Sequence, residues 1–150
     1  METKRYSKMD AIFYQGQKEN CLYQVKFGSV GIYVNWGLAD QKLLARLNVD
    51  EYFGEMGVVE NSPRSATAIA LESDTIVKVI PADEFKQLLQ EDPKQVYPVM
   101  AQLTNRLRQL TRDYSAVCGA IAAAQKAEEQ SAPVDEHTLN ELQRYATIAR

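Results

Sequence analysis

The hydrophobic positions of this 150-residue chain fall into two regimes. Over residues 11–80 they come in short runs separated by polar or glycine-containing turns. Ala11-Ile12-Phe13-Tyr14 is one such run, ended by the polar stretch Gln15-Gly16-Gln17-Lys18-Glu19-Asn20. In Cys21-Leu22-Tyr23-Gln24-Val25-Lys26-Phe27 the alternation puts Tyr23, Val25 and Phe27 on one face of a strand. Gly28-Ser29 breaks it, and Val30-Gly31-Ile32-Tyr33-Val34 follows. Further strands are predicted over 42–47, 52–53, 67–71 and 75–80. About eight short strands with Gly, Asp and Asn turns form the pattern of a β-sandwich or β-roll.

After Ile80 the period changes to that of helices. Pro81-Ala82-Asp83-Glu84 opens the first, with proline at its start, acids in its first turn, and Phe85, Leu88 and Leu89 as its apolar face. A long helix starts near Lys94 and carries Val96, Met100, Leu103, Leu107, Leu110, Tyr114, Val117, Ile121 and Ala124 at spacings of four and three. Its first two turns are expected to pack on the roll of the same chain. From Leu103 on, the stripe covers about 30 Å, more than such a roll can bury. It therefore predicts a homodimer through Leu103, Leu107, Leu110, Tyr114, Val117 and Ile121. A break is expected over 128–133, then a tail helix over 137–148 with Asp135 as N-cap and Leu139, Leu142, Tyr145 and Ile148 on one face. The chain divides into residues 1–93, a roll with one helix, and 94–150, a long helix with a tail helix.

Composition narrows the function classes. A net charge of −3 argues against a general nucleic-acid binder. No apolar run approaches the roughly 18 residues that would span a membrane, and the basic N-terminus leads into no apolar signal region, so a cytoplasmic protein is expected. Cys21 and Cys118 have neither a second cysteine nor a histidine at ligand spacing, and His137 is the one histidine. This argues against a zinc site and gives no catalytic triad. The two thiols are read as free and at least half-buried. No metal, no cofactor and no catalytic residue are assigned.

The candidate chemistry is concentrated in residues 53–68. Gly54 lets backbone approach a ligand closely, and Glu55 can accept hydrogen bonds from two hydroxyls. Met56-Gly57-Val58-Val59 suits one helical turn, and Asn61-Ser62-Pro63 a reversal. Arg64 brings a permanent charge and a forked donor set suited to a phosphate, followed by Ser65 and Ala66. A carboxylate for sugar hydroxyls and an arginine for a phosphate suggest a ribose phosphate. A lone Glu…Arg pair is more often an ordinary ion pair in a surface loop.

The whole ordered run, Phe53-Gly54-Glu55-Met56-Gly57 and then Pro63-Arg64-Ser65-Ala66-Thr67-Ala68, resembles the phosphate-binding cassette of the cyclic nucleotide-binding domain family. Gly16, Leu22-Tyr23 and Gly28-Ser29-Val30 also sit where that family has a glycine turn, an S-L-Y-like strand and a G-x-V turn. The resemblance covers roughly residues 11–114 and implies a mainly β fold with helices: a double-stranded β-helix, or jelly-roll-like β-roll, followed by a dimerisation helix. The family's helical segment before the first strand is here reduced to about ten residues. The resemblance also implies that Glu55 binds the ribose 2′-hydroxyl and Arg64 the cyclic phosphate, with Gly54, Ser65 and Ala66 lining the cassette. Serine after the arginine favours cAMP, with cGMP the other candidate. Thr111 would cap the base, and Arg106 lies near where the catabolite activator protein of that family has an arginine reaching its ligand. The helix after Pro81 would hinge towards a filled site.

Over residues 115–150 there are three basic residues (Lys126, Arg144, Arg150) and five acidic ones (Glu128, Glu129, Asp135, Glu136, Glu141), and roughly 60 further residues would be needed for a helix-turn-helix domain. The expectation is therefore a stand-alone sensor without DNA binding, acting on a protein partner or through its own oligomeric state. The alternative is a scaffold that keeps the roll and binds no nucleotide. An enzyme acting on cyclic nucleotides has less support, since Glu55 is its one candidate base.

Overall fold

Two four-stranded antiparallel sheets enclose an aromatic and aliphatic core, and helices cover one of them. The computed structural model describes residues 2–129 and 135–149. In chain order the described elements are β1 (Glu2–Tyr6), β2 (Ala11–Phe13), β3 (Cys21–Phe27), β4 (Val30–Val34), β5 (Lys42–Leu47), β6 (Tyr52–Phe53), α1 (Glu55–Glu60), β7 (Thr67–Ala70), β8 (Thr75–Pro81), α2 (Ala82–Glu91), a 3-10 turn (Pro93–Gln95), α3 (Tyr97–Glu129) and α4 (Glu136–Ala149). One sheet has the order β1-β8-β3-β6 and the other β2-β7-β4-β5. Two antiparallel sheets followed by a long helix are the arrangement that the cassette's resemblance implied.

The strands of residues 11–80 follow the hydrophobic pattern because alternate side chains divide between two layers. Ile12, Phe13, Tyr23, Val25, Val30, Leu47, Phe53, Ala68, Val77 and Val79 fill the space between the sheets. Leu22 and Ile80 point the other way and pack with Val58, Ala82, Phe85, Val96 and Val99 beneath the helices. The rings of Tyr23 and Phe53 stack with centroids 5.2 Å apart, and Phe13 lies 5.7 Å from Tyr23 and 5.9 Å from Phe53.

Four expectations about the strands and helices are corrected. The N-terminal residues form a strand rather than a remnant helix: β1 pairs with β8 from Glu2↔Val79 to Tyr6↔Thr75. As a sheet-edge strand it needs only backbone hydrogen bonds, so its polar side chains carried no periodic signal. Phe27 does not share the inward face of Tyr23 and Val25, because the register between β3 and β8 shifts between Val25 and Phe27 and leaves Phe27 exposed. On α2, Phe85 is buried and Leu88 partly so, but Leu89 is exposed. At the start of α3 the residues packed on the roll are Val96 and Val99, whereas Met100 is exposed.

The chain separates into two compact units, residues up to Gln102 and residues from Leu103 on. The first turns of α3 therefore belong to the roll. Gln102 fixes them there: its side-chain oxygen accepts from the Tyr52 N–H at 2.7 Å and its amide donates to the Tyr52 carbonyl at 2.8 Å, mimicking one rung of a sheet. Within the second unit, Asp135 caps α4 by accepting from the Thr138 backbone N–H at 2.9 Å and hydroxyl at 2.7 Å, contacts that hold its carboxyl below the usual carboxylate range. Leu139 is exposed, while the side chains of Tyr145 and Ile148 lie outside the described residues. Most of the expected break over 128–133 does too, although Glu128 and Glu129 still belong to α3. Cys21 is half-buried, but Cys118 is exposed, which corrects the expectation that both thiols are at least half-buried. No described helix is long and apolar enough to cross a membrane, and no described cluster of three or more His, Cys, Asp or Glu could hold a metal ion.

Candidate functional site

The cassette folds as sequence chemistry demands. β6 ends at Phe53, and Gly54 turns the chain into α1 with φ 79° and ψ 6°, the left-handed conformation that favours glycine. α1 is six residues long and buries Glu55, Gly57 and Val58, leaving Met56 and Val59 exposed. Asn61 closes it, also left-handed, with its N–H bonded to the Gly57 carbonyl. Pro63 and Arg64 then lead into β7.

Arg64 is the centre of the arrangement, and it points inward. Its side chain is 1% exposed. Nη1 donates to the Gly54 carbonyl at 2.7 Å, and Nη2 to the Cys21 carbonyl at 2.6 Å and to Glu19 Oε2 at 3.0 Å. The guanidinium carbon lies 4.2 Å above the Phe13 ring centroid and 5.5 Å from that of Tyr23. Nε is buried and has no hydrogen-bond partner among the described residues. The Arg64 backbone is held as well, its N–H bonded to the Gln17 carbonyl and its carbonyl accepting from the Gly16 N–H, both at 2.8 Å.

Glu19 Oε2 also accepts from the Tyr23 hydroxyl at 3.1 Å. Burial, and then the neighbouring Cys21 and Glu19, push that hydroxyl well above its ordinary pKa, so it stays a donor. Arg64 is therefore no surface-loop cation; it is enclosed, and it ion-pairs with Glu19. Sequence reasoning missed Glu19, Cys21, Phe13 and Tyr23 as its partners. A usable signal was an acid in the polar run just before the aromatic-bearing strand.

Of the residues singled out in the sequence, Gly54, Glu55, Arg64, Ser65 and Ala66 are brought together on one loop–helix–loop unit. Glu55 and Ala66 are buried; Ser65 is exposed, its hydroxyl 4.0 Å from the Met56 sulfur. Arg106 and Thr111 belong to the helical unit. The Thr111 hydroxyl there donates to the Leu107 carbonyl at 2.9 Å.

Comparison with known proteins agrees with this architecture. The profile of the cyclic nucleotide-binding domain family matches residues 3–92, more than half of the chain. This protein belongs to the cyclic nucleotide-binding domain family. It is 32% identical over 108 residues to the cyclic AMP receptor protein of Thermus thermophilus, covering 72% of this chain and 50% of that protein. The crystal structure of Thermus thermophilus catabolite activator protein superposes with a TM-score of 0.64 at 29% identity, covering 86% of this chain and 63% of that one. The cAMP-bound form of the EAL enzyme Bd1971 matches with a TM-score of 0.55 at 27% identity, covering 83% of this chain and 33% of that one. The chain spans about half the length of the curated relatives it matches.

The packing at Gly54 sets a direct test. A Cβ there would lie 2.5 Å from Arg64 Nη1 and 3.1 Å from its guanidinium carbon, on a backbone already left-handed. Gly54→Ala is expected to destabilise the roll by about 2 kcal/mol or more, read from urea unfolding. Unchanged stability would show that Arg64 is not packed on that turn.

Proposed function

We propose that this chain is the ligand-sensing part of a regulator and that its ligand is cAMP. Glu55 would take the ribose 2′-hydroxyl and Arg64 the cyclic phosphate, with Gly54, Ser65 and Ala66 lining the cassette. The observation that carries this reading is the buried Arg64, cradled by Gly54 and Gly57, with an Nε–H that has no partner among the described residues. An unsatisfied buried donor costs about 1–3 kcal/mol, a cost that turning outward onto a phosphate oxygen would remove. Serine at 65 supports cAMP over cGMP, and the named Thermus receptor and the cAMP-bound Bd1971 support the same ligand class.

The role is binding, with output through conformation. Filling the cassette would shift its population between two states that differ at α1, α2 and the start of α3. The Tyr52–Gln102 clamp supports such a route, since it ties the strand leading into Gly54 to the long helix. Beyond Gln102, Leu107 and Leu110 are each 66% exposed and Tyr114 is 72% exposed, with Leu103 and Ile121 exposed and Val117 half-buried on the same stripe. We infer a homodimer through these residues, with an unidentified protein partner receiving the signal.

A second reading has one specific observation in its favour. Arg64 already spends two hydrogen bonds to backbone carbonyls and an ion pair inside the roll, as it would in a scaffold that binds no nucleotide.

Calorimetric titration with cAMP separates the two. Wild type should bind, Arg64→Ala should lose about two orders of magnitude in affinity, on the order of 3 kcal/mol, and Glu55→Gln should lose about tenfold. No heat with wild type favours the scaffold, whereas equal affinities in all three proteins would overturn the assignment of Arg64 and Glu55 to the site. For the dimer, sedimentation equilibrium of Leu107→Glu/Leu110→Glu should give monomer where wild type gives dimer; a wild-type monomer would remove the stripe from the account.

A further inference from the structure

We propose that Glu19 is an internal competitor for Arg64, occupying the arginine until the ligand's anion displaces it. The inference rests on the reading of Arg64 as the anion-binding residue, and it adds a residue that acts against the ligand. An arginine whose side chain is 1% exposed cannot meet an anion arriving from solvent. To do so its guanidinium must turn out of the space between Phe13, Tyr23 and the Gly54 and Cys21 carbonyls. The two carbonyls and the two rings are neutral. The charged group that holds it is the Glu19 carboxylate, 3.0 Å away.

The exchange is balanced in charge. A phosphodiester carries one negative charge, as a carboxylate does, so the guanidinium leaves one anion for another. Glu19 is suited to yield because its side chain is 33% exposed and can return to water, where its charge is solvated. Its anchor in the inward state is the Tyr23 hydroxyl, which donates to the same Oε2 at 3.1 Å. The two rings against Arg64 are thus part of the latch: Tyr23 positions Glu19, and Phe13 supports the guanidinium face. Two loops meet here, since the run 15–20 that carries Glu19 is bonded to the Arg64 backbone through Gly16 and Gln17. Displacing Glu19 therefore loosens the contact between the β2–β3 loop and the cassette as well as freeing the arginine.

Neutralising the competitor should raise affinity. Glu19→Gln keeps an oxygen for Arg64 and Tyr23 but removes the charge, so more of the protein has the arginine free, and apparent affinity rises with that fraction. The test titrates wild type, Glu19→Gln, Glu19→Asp and Glu19→Gln/Arg64→Ala with cAMP by calorimetry, and with inorganic phosphate by thermal shift. Glu19→Gln is expected to bind cAMP about tenfold more tightly than wild type and to gain more stability from phosphate. Glu19→Asp, whose charge is drawn back by one methylene, should show a smaller gain of the same sign, and the double variant no gain. Wild-type or weaker affinity of both single variants for both probes overturns the proposal. A gain with phosphate alone, with cAMP bound by none of the proteins, sustains the competitor and refutes the cAMP reading.

Discussion

A guanidinium cannot leave water without partners, and the side chain of Arg64 has left it almost completely. That one constraint shapes the surrounding chain. Gly54 must be glycine-like, since a side chain there would run into Nη1, and Gly57 makes room a turn later, where an added Cβ would lie 3.3 Å from the same nitrogen. The carbonyls of Gly54 and Cys21 face the cation, which holds the end of β6 and the start of β3 close to the cassette. Phe13 and Tyr23 present ring faces to it, so the aromatic core between the sheets is also the floor of the site. Removing the charge would leave two buried carbonyls and a half-buried carboxylate without their donor. A function that moves Arg64 must therefore replace those contacts.

The rest of the roll links this centre to the helices. Leu22 stands between Cys21 and Tyr23 on β3, yet its side chain packs in the second layer with Val58 of α1, Phe85 of α2 and Val99 of α3. A shift of the cassette is thus felt on both faces of one strand. The amide of Gln102 clasps Tyr52 two residues before Gly54, so the start of α3 cannot move independently of the turn into α1. Packed interiors transmit such shifts because they have little free volume to absorb them.

Much of this was legible in the sequence, and what was missed has physical causes. The cassette is contiguous, and its glycines, proline and arginine each have a local reason for their place, so its fold could be read from order alone. The central strands betray themselves by burying alternate residues in two layers. Glu19 could not be found this way, because its role arises from a contact across 45 positions, between a polar loop and a buried residue. β1 was invisible for a related reason: an edge strand joined by backbone bonds leaves no mark on hydrophobic spacing. Phe27 and Met100 show the limit of periodicity itself. A single bulge, or the approach angle of a helix, moves a residue off the face its spacing predicts.

The central claim is that Arg64 exchanges Glu19 for the ligand's phosphate, and nuclear magnetic resonance of the arginine side chains observes that exchange directly. In protein labelled with ¹⁵N-arginine, the Arg64 side-chain resonances of the ligand-free state should carry a ring-current shift, since the guanidinium lies over Phe13. Saturating cAMP should remove that shift and move the Nε–H signal to the position of a phosphate-bonded donor. An Arg64 signal that keeps its ring-current shift in the presence of saturating, bound cAMP would contradict the account.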